Sequence, residues 1–339
     1  MTIDIPQVAH LKSRRSQRYL GENLASSLQD LKEQDAAIIH ALYAEFRKIF
    51  PVLKVSIRDE QPMQLLQFLN ETEYGKRFDQ LVKQMRAIEH PAPGLAEAQV
   101  ARIRKNLHDV RGGALAGFAL QLDLLRLVNT EISNADVLRT FYLVRDHLKI
   151  MRNCFKDLDQ ERREMDRSFN FHSSDLIKEK WEGYGSGEKK VRYRGEVSTR
   201  IACCCLEFST VDRIIYNLMN NAFRYGVGTH VDLEMHAEPK EKPQHLLVTI
   251  GNPISADQTE LLRKRFEGNP SRLFLGEFTT SGSGEGMRIG AECVCNAYGF
   301  TSVEETIEAG LVGAQVNGDY LAIWFFWPLL ADVPDDPTR

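Results

Sequence analysis

Apolar residues recur along this chain at two different periods. From Val100 onward the series Val100, Ile103, Leu107, Val110, Ala114, Phe118, Leu122 and Leu125 steps by three and four, the spacing that lines one face of a helix ending near Val128. A second series, Val137, Phe141, Val144, Leu148, Met151, Phe155 and Leu158, repeats the pattern after a polar turn at 129–134. Ser133, with Asp136 three residues on, supplies a start for that second helix. Two striped helices with a short connection predict an antiparallel hairpin. A hairpin alone cannot bury both stripes, so the pattern predicts a four-helix bundle made with a second copy, a homodimer. Upstream, Leu24, Leu28, Leu31, Ile38, Leu42 and Phe46 form a helical face that Pro51 is expected to end. Residues 52–57 alternate like a short strand, and 63–70 and 74–89 are helical again. The segment His90-Pro91-Ala92-Pro93-Gly94 forbids helix continuity and marks a boundary.

From about residue 169 the period shortens. Residues 191–206 suggest strands, 212–225 a helix, and 230–236 and 246–250 alternating strands, followed by a helix over 287–297 and strands over 301–306 and 321–327. Helices mixed with mostly antiparallel strands predict a separate α+β sandwich. By pattern the chain divides into a loose basic arm at 1–19 within a mostly helical input or dimerisation region at 1–94, a helical hairpin at 95–165, an α+β domain at 166–330, and an acidic, proline-broken tail at 331–339 expected to be disordered.

Composition narrows the function classes. A chain of 339 residues holds two or three cores, and a formal net charge of −4 gives no reason to expect nucleic acid as the main partner. The longest apolar run, 321–331, is interrupted by Pro328 and is too short to span a bilayer. The amino terminus, with Asp4 and Pro6 and no apolar segment, does not read as a signal peptide, so a cytoplasmic location is expected. Six cysteines include the consecutive Cys203, Cys204 and Cys205 but no C-x-x-C pair. They read as small buried side chains in a reducing compartment rather than as a zinc site or a redox switch.

Three short motifs carry candidate chemistry. His108-Asp109 lies one position off the first helical stripe, so the imidazole points toward solvent, and Arg104 and Arg111 share its face at helical spacing. A phosphoryl group on that ring would find positive charge nearby. In the run 217–225, Asn217 and Asn221 are four apart and project from one helix face, with Arg224 beside them. Amide oxygens there suit a Mg²⁺ already bridged by phosphates, and the arginine suits phosphate oxygens. In Gly282-Ser283-Gly284-Glu285-Gly286, alternating glycines permit close backbone approach, and the amides that open the next helix form an anion site. Taken singly, the histidine reads as ordinary surface, and the other two read equally well as a polar helix face and a flexible loop.

Together with the strand end Gly251-Asn252-Pro253, they follow one another in an order that resembles the bacterial two-component sensor histidine kinases, over residues 97–328. The resemblance implies a dimeric phosphoacceptor hairpin joined to a GHKL-type ATP-binding α/β sandwich of the Bergerat kind, an enzyme using ATP and Mg²⁺, and a response-regulator receiver domain as partner. It implies that His108 accepts the γ-phosphoryl group and Asp109 orients or deprotonates the ring. Asn221, helped by Asn217, would hold Mg²⁺, while Arg224 would touch phosphates and Tyr225 would pack near the nucleotide. Gly282, Gly284 and Gly286 would form the nucleotide lid, and Trp324 to Leu329 the closing strand. Two departures stand out: Asn252 replaces the aspartate that accepts from the adenine amino group, and Gly112 stands where phosphatase-competent members carry Thr, Asn or Gln. A phosphotransferase or scaffold with a decayed nucleotide site is the alternative reading. An ATPase of the gyrase and chaperone kind leaves the His108 hairpin unexplained.

Overall fold

The computed structural model describes residues 25–88, 92–127, 132–186, 189–195, 198–276 and 285–330. They divide into two compact units, one ending at Asp166 and one beginning at Arg167. The arm at 1–19, Leu24, the tail at 331–339, Gly282 and Gly284 fall outside the described residues.

The first unit is all helix. A Ser27-capped 3-10 turn at Leu28–Asp30 leads into α1 (Glu33–Arg58), α2 (Met63–Glu71), α3 (Tyr74–Arg86), α4 (Glu97–Arg111), α5 (Gly113–Leu127), α6 (Asn134–Cys154) and α7 (Gln160–Arg167). Pro51 does not stop α1, and 52–57 are helix rather than strand. The proline lies on the exposed side, and Ile49 and Leu53 flank it at 0% exposure. Burying two such side chains, about 1.5–3 kcal/mol each, offsets the roughly 3 kcal/mol that an interior proline costs. Ser133 caps α6 as expected, its hydroxyl accepting from the Asp136 amide at 3.2 Å.

The helix through His108 is not one piece. Gly112, at φ −73° and ψ −160°, interrupts it, and its carbonyl accepts the first amides of α5, Leu115 at 3.0 Å and Ala116 at 3.2 Å. Two adjacent glycines, Gly112 and Gly113, make this the weakest turn of the stripe. The stripe itself stays in register across the break, because Val110, Ala114 and Phe118 are all buried.

The segments divided by sequence at residue 94 share a single core. It joins Ile39, Leu42, Phe46, Ile49 and Leu53 of α1 and Phe78 and Val82 of α3 to Ile103, Leu107 and Val110 of α4, Phe118 and Leu122 of α5, and Val137, Val144, Leu148 and Met151 of α6. The Phe46 ring meets Phe78 edge-on at 5.4 Å and Phe118 at 5.0 Å, and Phe78 meets Phe118 at 4.9 Å. α1 lies against α6 and α3, and α3 is tied to α5 by Asp79–Arg126 at 2.9 Å. The buried stripes of both hairpin helices are covered by α1 and α3 of the same chain, while Leu120, Leu124 and Leu127 of α5 remain exposed.

The second unit is an α/β sandwich. Its elements are β1 (Phe169–Ser173), α8 (Asp175–Trp181), β2 (Gly185–Ser186), β3 (Lys189–Arg194), β4 (Arg200–Cys204), α9 (Cys205–Tyr225), β5 (His230–Glu238), β6 (His245–Pro253), α10 (Ala256–Phe266), a 3-10 segment (Pro270–Leu275), α11 (Glu285–Tyr298), α12 (Val303–Glu308), β7 (Val312–Asn317) and β8 (Tyr320–Pro328). β1 pairs with β4, and the main sheet runs β2-β3-β5-β6-β8-β7, in which β3 and β5 are the parallel neighbours. The predicted strand at 301–306 is instead α12: Ser302 accepts from the Glu305 amide and begins a helix that buries Thr306. The core packs α9 and α11 on the sheet, with Ile214, Ile215, Leu218 and Val294 against Val248, Ile250, Phe325 and Trp327. Among the described residues no helix is long and apolar enough to cross a membrane.

Candidate active site

The acceptor candidate sits near the end of α4, one turn before the Gly112 break. The His108 side chain is 40% exposed, whereas that of Asp109 is 6% exposed, and Nδ1 lies 3.6 Å from the Asp109 carboxylate. Of the two ring nitrogens, Nδ1 is thus the one turned to the acid. Arg111 is drawn to the neighbouring helix, where its Nε donates to the Met85 carbonyl at 2.9 Å, while Arg104 remains on the exposed surface. One contributor escaped the sequence reading. Asn106, buried on the stripe two residues before the histidine, donates to Ser26 Oγ at 2.9 Å and to the Cys154 carbonyl at 3.1 Å. These bonds pin α4 to the end of α6 and to the segment before α1. A polar residue at a core position of a regular stripe was the available signal, since such a group is kept only where it finds partners.

In the second unit, α9 carries the asparagines. Asn217 Nδ2 donates to the Gly286 carbonyl at 3.3 Å, which brings the first turn of α11 against the middle of α9. A Cβ on Gly286 would lie 3.6 Å from the Asn217 side chain. Asn221 is half-buried one turn further on, and the exposed Arg224 lays its guanidinium 5.3 Å from the Tyr225 ring. The sequence-predicted residues Asn217, Asn221 and Gly286 thus share one locality.

Asn252 stands at the end of β6 with 4% exposure, and its Nδ2 donates to the Pro253 carbonyl at 2.9 Å. That bond uses one of the two amide hydrogens and orients the side chain, whose carbonyl oxygen is an acceptor. The end of α9 lies against it: a Cβ on Gly226 would be 2.8 Å from Asn252 Nδ2, so glycine is what permits the approach. Two further side chains, unseen in the sequence, fix this helix end. Lys189 Nζ donates to the Phe223 carbonyl at 2.6 Å and to the Gly226 carbonyl at 2.5 Å, placing a cation at the negative pole of α9. Gln258 Nε2 donates to the Tyr225 carbonyl at 2.8 Å. Neither residue has a sequence signature, because each acts on main-chain carbonyls and any long polar side chain could do so.

Behind the site, Asp232 of β5 is a shared acceptor for Arg192 at 2.7 Å and Tyr320 at 2.6 Å. Burial raises the Asp232 carboxyl, but the donated hydrogen bonds from Arg192 and Tyr320 outweigh it and hold the group below the usual carboxylate range. Burial, and then the bond to Asp232, push the Tyr320 phenol up, so it stays a donor. Tyr320 lies over Gly251, where any Cβ would collide with its ring. The glycine before Asn252 is thus required by the sheet rather than by a ligand.

No family model matches the chain, and no curated protein is similar to it in sequence. Solved structures do resemble it. The catalytic domain of histidine kinase ThkA is 15% identical, with 46% of this chain and 86% of that one covered at a TM-score of 0.28. A blue-light activated histidine kinase from Erythrobacter litoralis is 13% identical in its kinase domain, covering 67% of this chain and 90% of that one at a TM-score of 0.30. Histidine kinase AdeS of Acinetobacter baumannii is 10% identical, covering 66% and 98% at a TM-score of 0.25. Each of these three neighbours is a histidine kinase or a domain of one.

Proposed function

We propose that this protein is an ATP-dependent protein-histidine kinase that phosphorylates itself on His108 and passes the phosphoryl group to an aspartate of a response regulator's receiver domain. The observation that carries the reading is the pairing of a partly exposed imidazole with a nearly buried carboxylate, 40% against 6% exposed, on one turn of α4. Asp109 takes the hydrogen bond or proton at Nδ1, which raises the basicity of the ring and leaves Nε2 as the nucleophile. Nε2 then forms the bond to the γ-phosphorus, the bond from that phosphorus to the β-bridging oxygen breaks, and ADP leaves. The 3.6 Å separation closes by a rotamer adjustment once substrate is bound.

The nucleotide part rests on α9 and β6. The amide nitrogens of Asn217 and Asn252 each donate to a main-chain carbonyl, and their oxygens are acceptors. An acceptor oxygen at Asn252 suits an adenine amino group, and amide oxygens at Asn217 and Asn221 suit a hard cation. Asn221, helped by Asn217, would hold Mg²⁺, which neutralises developing charge on the transferring phosphoryl group. Arg224 adds a cation for phosphate oxygens, and Gly286 keeps the first turn of α11 bare. Incubation with γ-labelled ATP and Mg²⁺ tests the reading: the product is an acid-labile, base-stable phosphoprotein absent from His108→Ala. The neutral Asn252 favours a second reading, a phosphotransferase or scaffold that no longer binds ATP. Calorimetry separates the two, since a protein that takes up no ATP but accepts phosphate on His108 from a phosphorylated receiver domain is the second kind.

A further inference from the structure

We infer that Asn106 is a positioning residue: its amide, held between Ser26 and the last carbonyl of α6, fixes the axial register of α4 and with it the height at which His108 is presented for phosphoryl transfer. The fixing of register stands on contacts in the helical unit, whereas the purpose given to it rests on the kinase reading above.

The buried residues of α4 are Ile103, Asn106, Leu107 and Val110, an aliphatic seam with one amide in it. Aliphatic contact has no direction. Ile103, Leu107 and Val110 share their core with Leu148 and Met151 of α6. A slip of α4 by one turn, about 5.4 Å, would set one apolar residue where another had been. Asn106 opposes that slip. It is 5% exposed, and its Nδ2, with two hydrogens to give, donates to Ser26 Oγ at 2.9 Å and to the Cys154 carbonyl at 3.1 Å. One buried asparagine in an apolar seam is enough to fix the register of packed helices.

The acceptors are themselves held in place. Cys154 ends α6, where a helix leaves its last carbonyls without partners inside the helix, and its oxygen also accepts from the Ser26 amide at 2.8 Å. The Ser26 carbonyl accepts from the Lys156 amide at 3.0 Å, which completes a parallel bridge between Ser26 and Phe155. One step along, Asp157 accepts from the Leu28 amide at 2.8 Å and from the Ser27 hydroxyl. The segment before α1, the end of α6 and α4 thus meet at one carbonyl. His108 lies two residues, about 3 Å of helical rise, beyond this tie. Transfer needs the attacking nitrogen about 3–3.5 Å from phosphorus, and a misplacement of about 1 Å costs roughly a hundredfold. A hydrogen-bonded register meets that tolerance, and an aliphatic one does not.

The test replaces both side chains of the buried bond in the full chain, Ser26→Ala with Asn106→Leu, so that neither a hydroxyl nor an amide is stranded. Val144→Ala, which loosens the same core without touching the junction, is the control. With ATP and Mg²⁺ the double variant should lose about tenfold or more in maximal labelling rate at an unchanged half-saturating ATP concentration, while the control labels like wild type. Phosphoramidate, a small donor that diffuses to the ring, should label wild type and double variant equally. In proton–nitrogen spectra the His108 imidazole signals, assigned by their loss in His108→Ala, should be single in wild type and split in the double variant. A wild-type rate in the double variant, or an equal fall in the control, overturns the positioning role. Loss of phosphoramidate labelling does so too, because the ring itself would then be altered. A single, unmoved His108 signal in the double variant overturns the fixing of register. If wild type takes no label from ATP, the kinase reading fails and the positioning role with it, whereas the imidazole spectra still decide the register. Should the double variant not fold, Asn106→Gln, one methylene longer with both hydrogens kept, displaces the tie instead and is read by the same measurements.

Discussion

His147 gives the sharpest quantitative handle on the helical unit. It is fully buried between α6 and α1, its ring 4.5 Å from that of Phe46, and neither ring nitrogen has a hydrogen-bond partner among the described residues. Burial pushes its pKa down to about 3 from the ordinary 6.5. The folded unit therefore holds a neutral ring through the range in which the unfolded chain takes up a proton. Above about pH 6.5 the residue adds no pH dependence; below it, stability falls by about 1.4 kcal/mol per pH unit until the folded form is protonated near pH 3. From pH 7.5 to pH 5 the loss from this one side chain is about 2 kcal/mol. Replacing it by leucine should remove that slope. Leucine should also stabilise the unit at neutral pH by about 1–3 kcal/mol, because it no longer buries unsatisfied nitrogens. The assay is urea unfolding of wild type and His147→Leu at both pH values, followed by far-ultraviolet circular dichroism. All three tryptophans, Trp181, Trp324 and Trp327, belong to the α/β unit, so their fluorescence gives an internal control whose transition should not respond to the substitution. Equal pH slopes in the two proteins would show that the ring is solvated or paired in the fold, and the reasoning would fail.

Three further outcomes are expected. Asp109→Asn should slow self-labelling by about a hundredfold or more while leaving ATP affinity unchanged, because it removes proton acceptance at Nδ1 and alters none of the residues proposed to hold the nucleotide; a normal rate in rapid-quench labelling would make the carboxylate structural. Asn252→Asp, although it supplies the acid usual in relatives, should weaken ATP binding by about fivefold or more, since its second oxygen would face the Pro253 carbonyl where Nδ2 now donates at 2.9 Å; tighter binding by calorimetry would contradict this. Phospho-receiver incubated with the wild-type protein should keep its phosphate for as long as it does alone, because Gly112 offers no group to hold a water, and Gly112→Thr should not restore activity, since a Cβ there meets the His108 carbonyl at 3.2 Å in a turn that is not helical.

Much of this architecture was written in the spacing of apolar residues, and where the reading failed the failure has a physical cause. The stripes of α4, α5 and α6 are buried nearly residue for residue, and Ser133 caps where the pattern put it. A stripe says that a face is covered and is silent about what covers it, and here α1 of the same chain covers the α6 stripe. The break at Gly112 is legible only in the glycine pair itself, because the core positions run on in register through Val110, Ala114 and Phe118 and an apolar count does not notice the interruption. Pro51 and the 301–306 run misled because local preference was read without its surroundings; Ile49 and Leu53 hold α1 through the proline, and the Ser302 cap overrides the β-branched residues after it. At the candidate site, Asn217 and Asn221 announced themselves by spacing. Lys189 and Gln258 could not, since they act on carbonyls of residues distant in sequence.

The way α1 is held has a consequence for how the chain is made. Ser27 bonds Asp157 across 130 positions and Tyr43 bonds Asp159 across 116, so the first long helix finds its core only after α6 and the turn behind it have been synthesised. At about 5–20 residues per second, a nascent chain carries the Phe46 face uncovered for roughly six seconds or more. Contacts with α2 and α3, Phe78 among them, shelter part of that face earlier. Long-range closure of this kind slows folding relative to a bundle built from neighbouring hairpins. A fragment ending at the proline-rich segment near residue 94 would accordingly emerge as sticky helices rather than as an independent module.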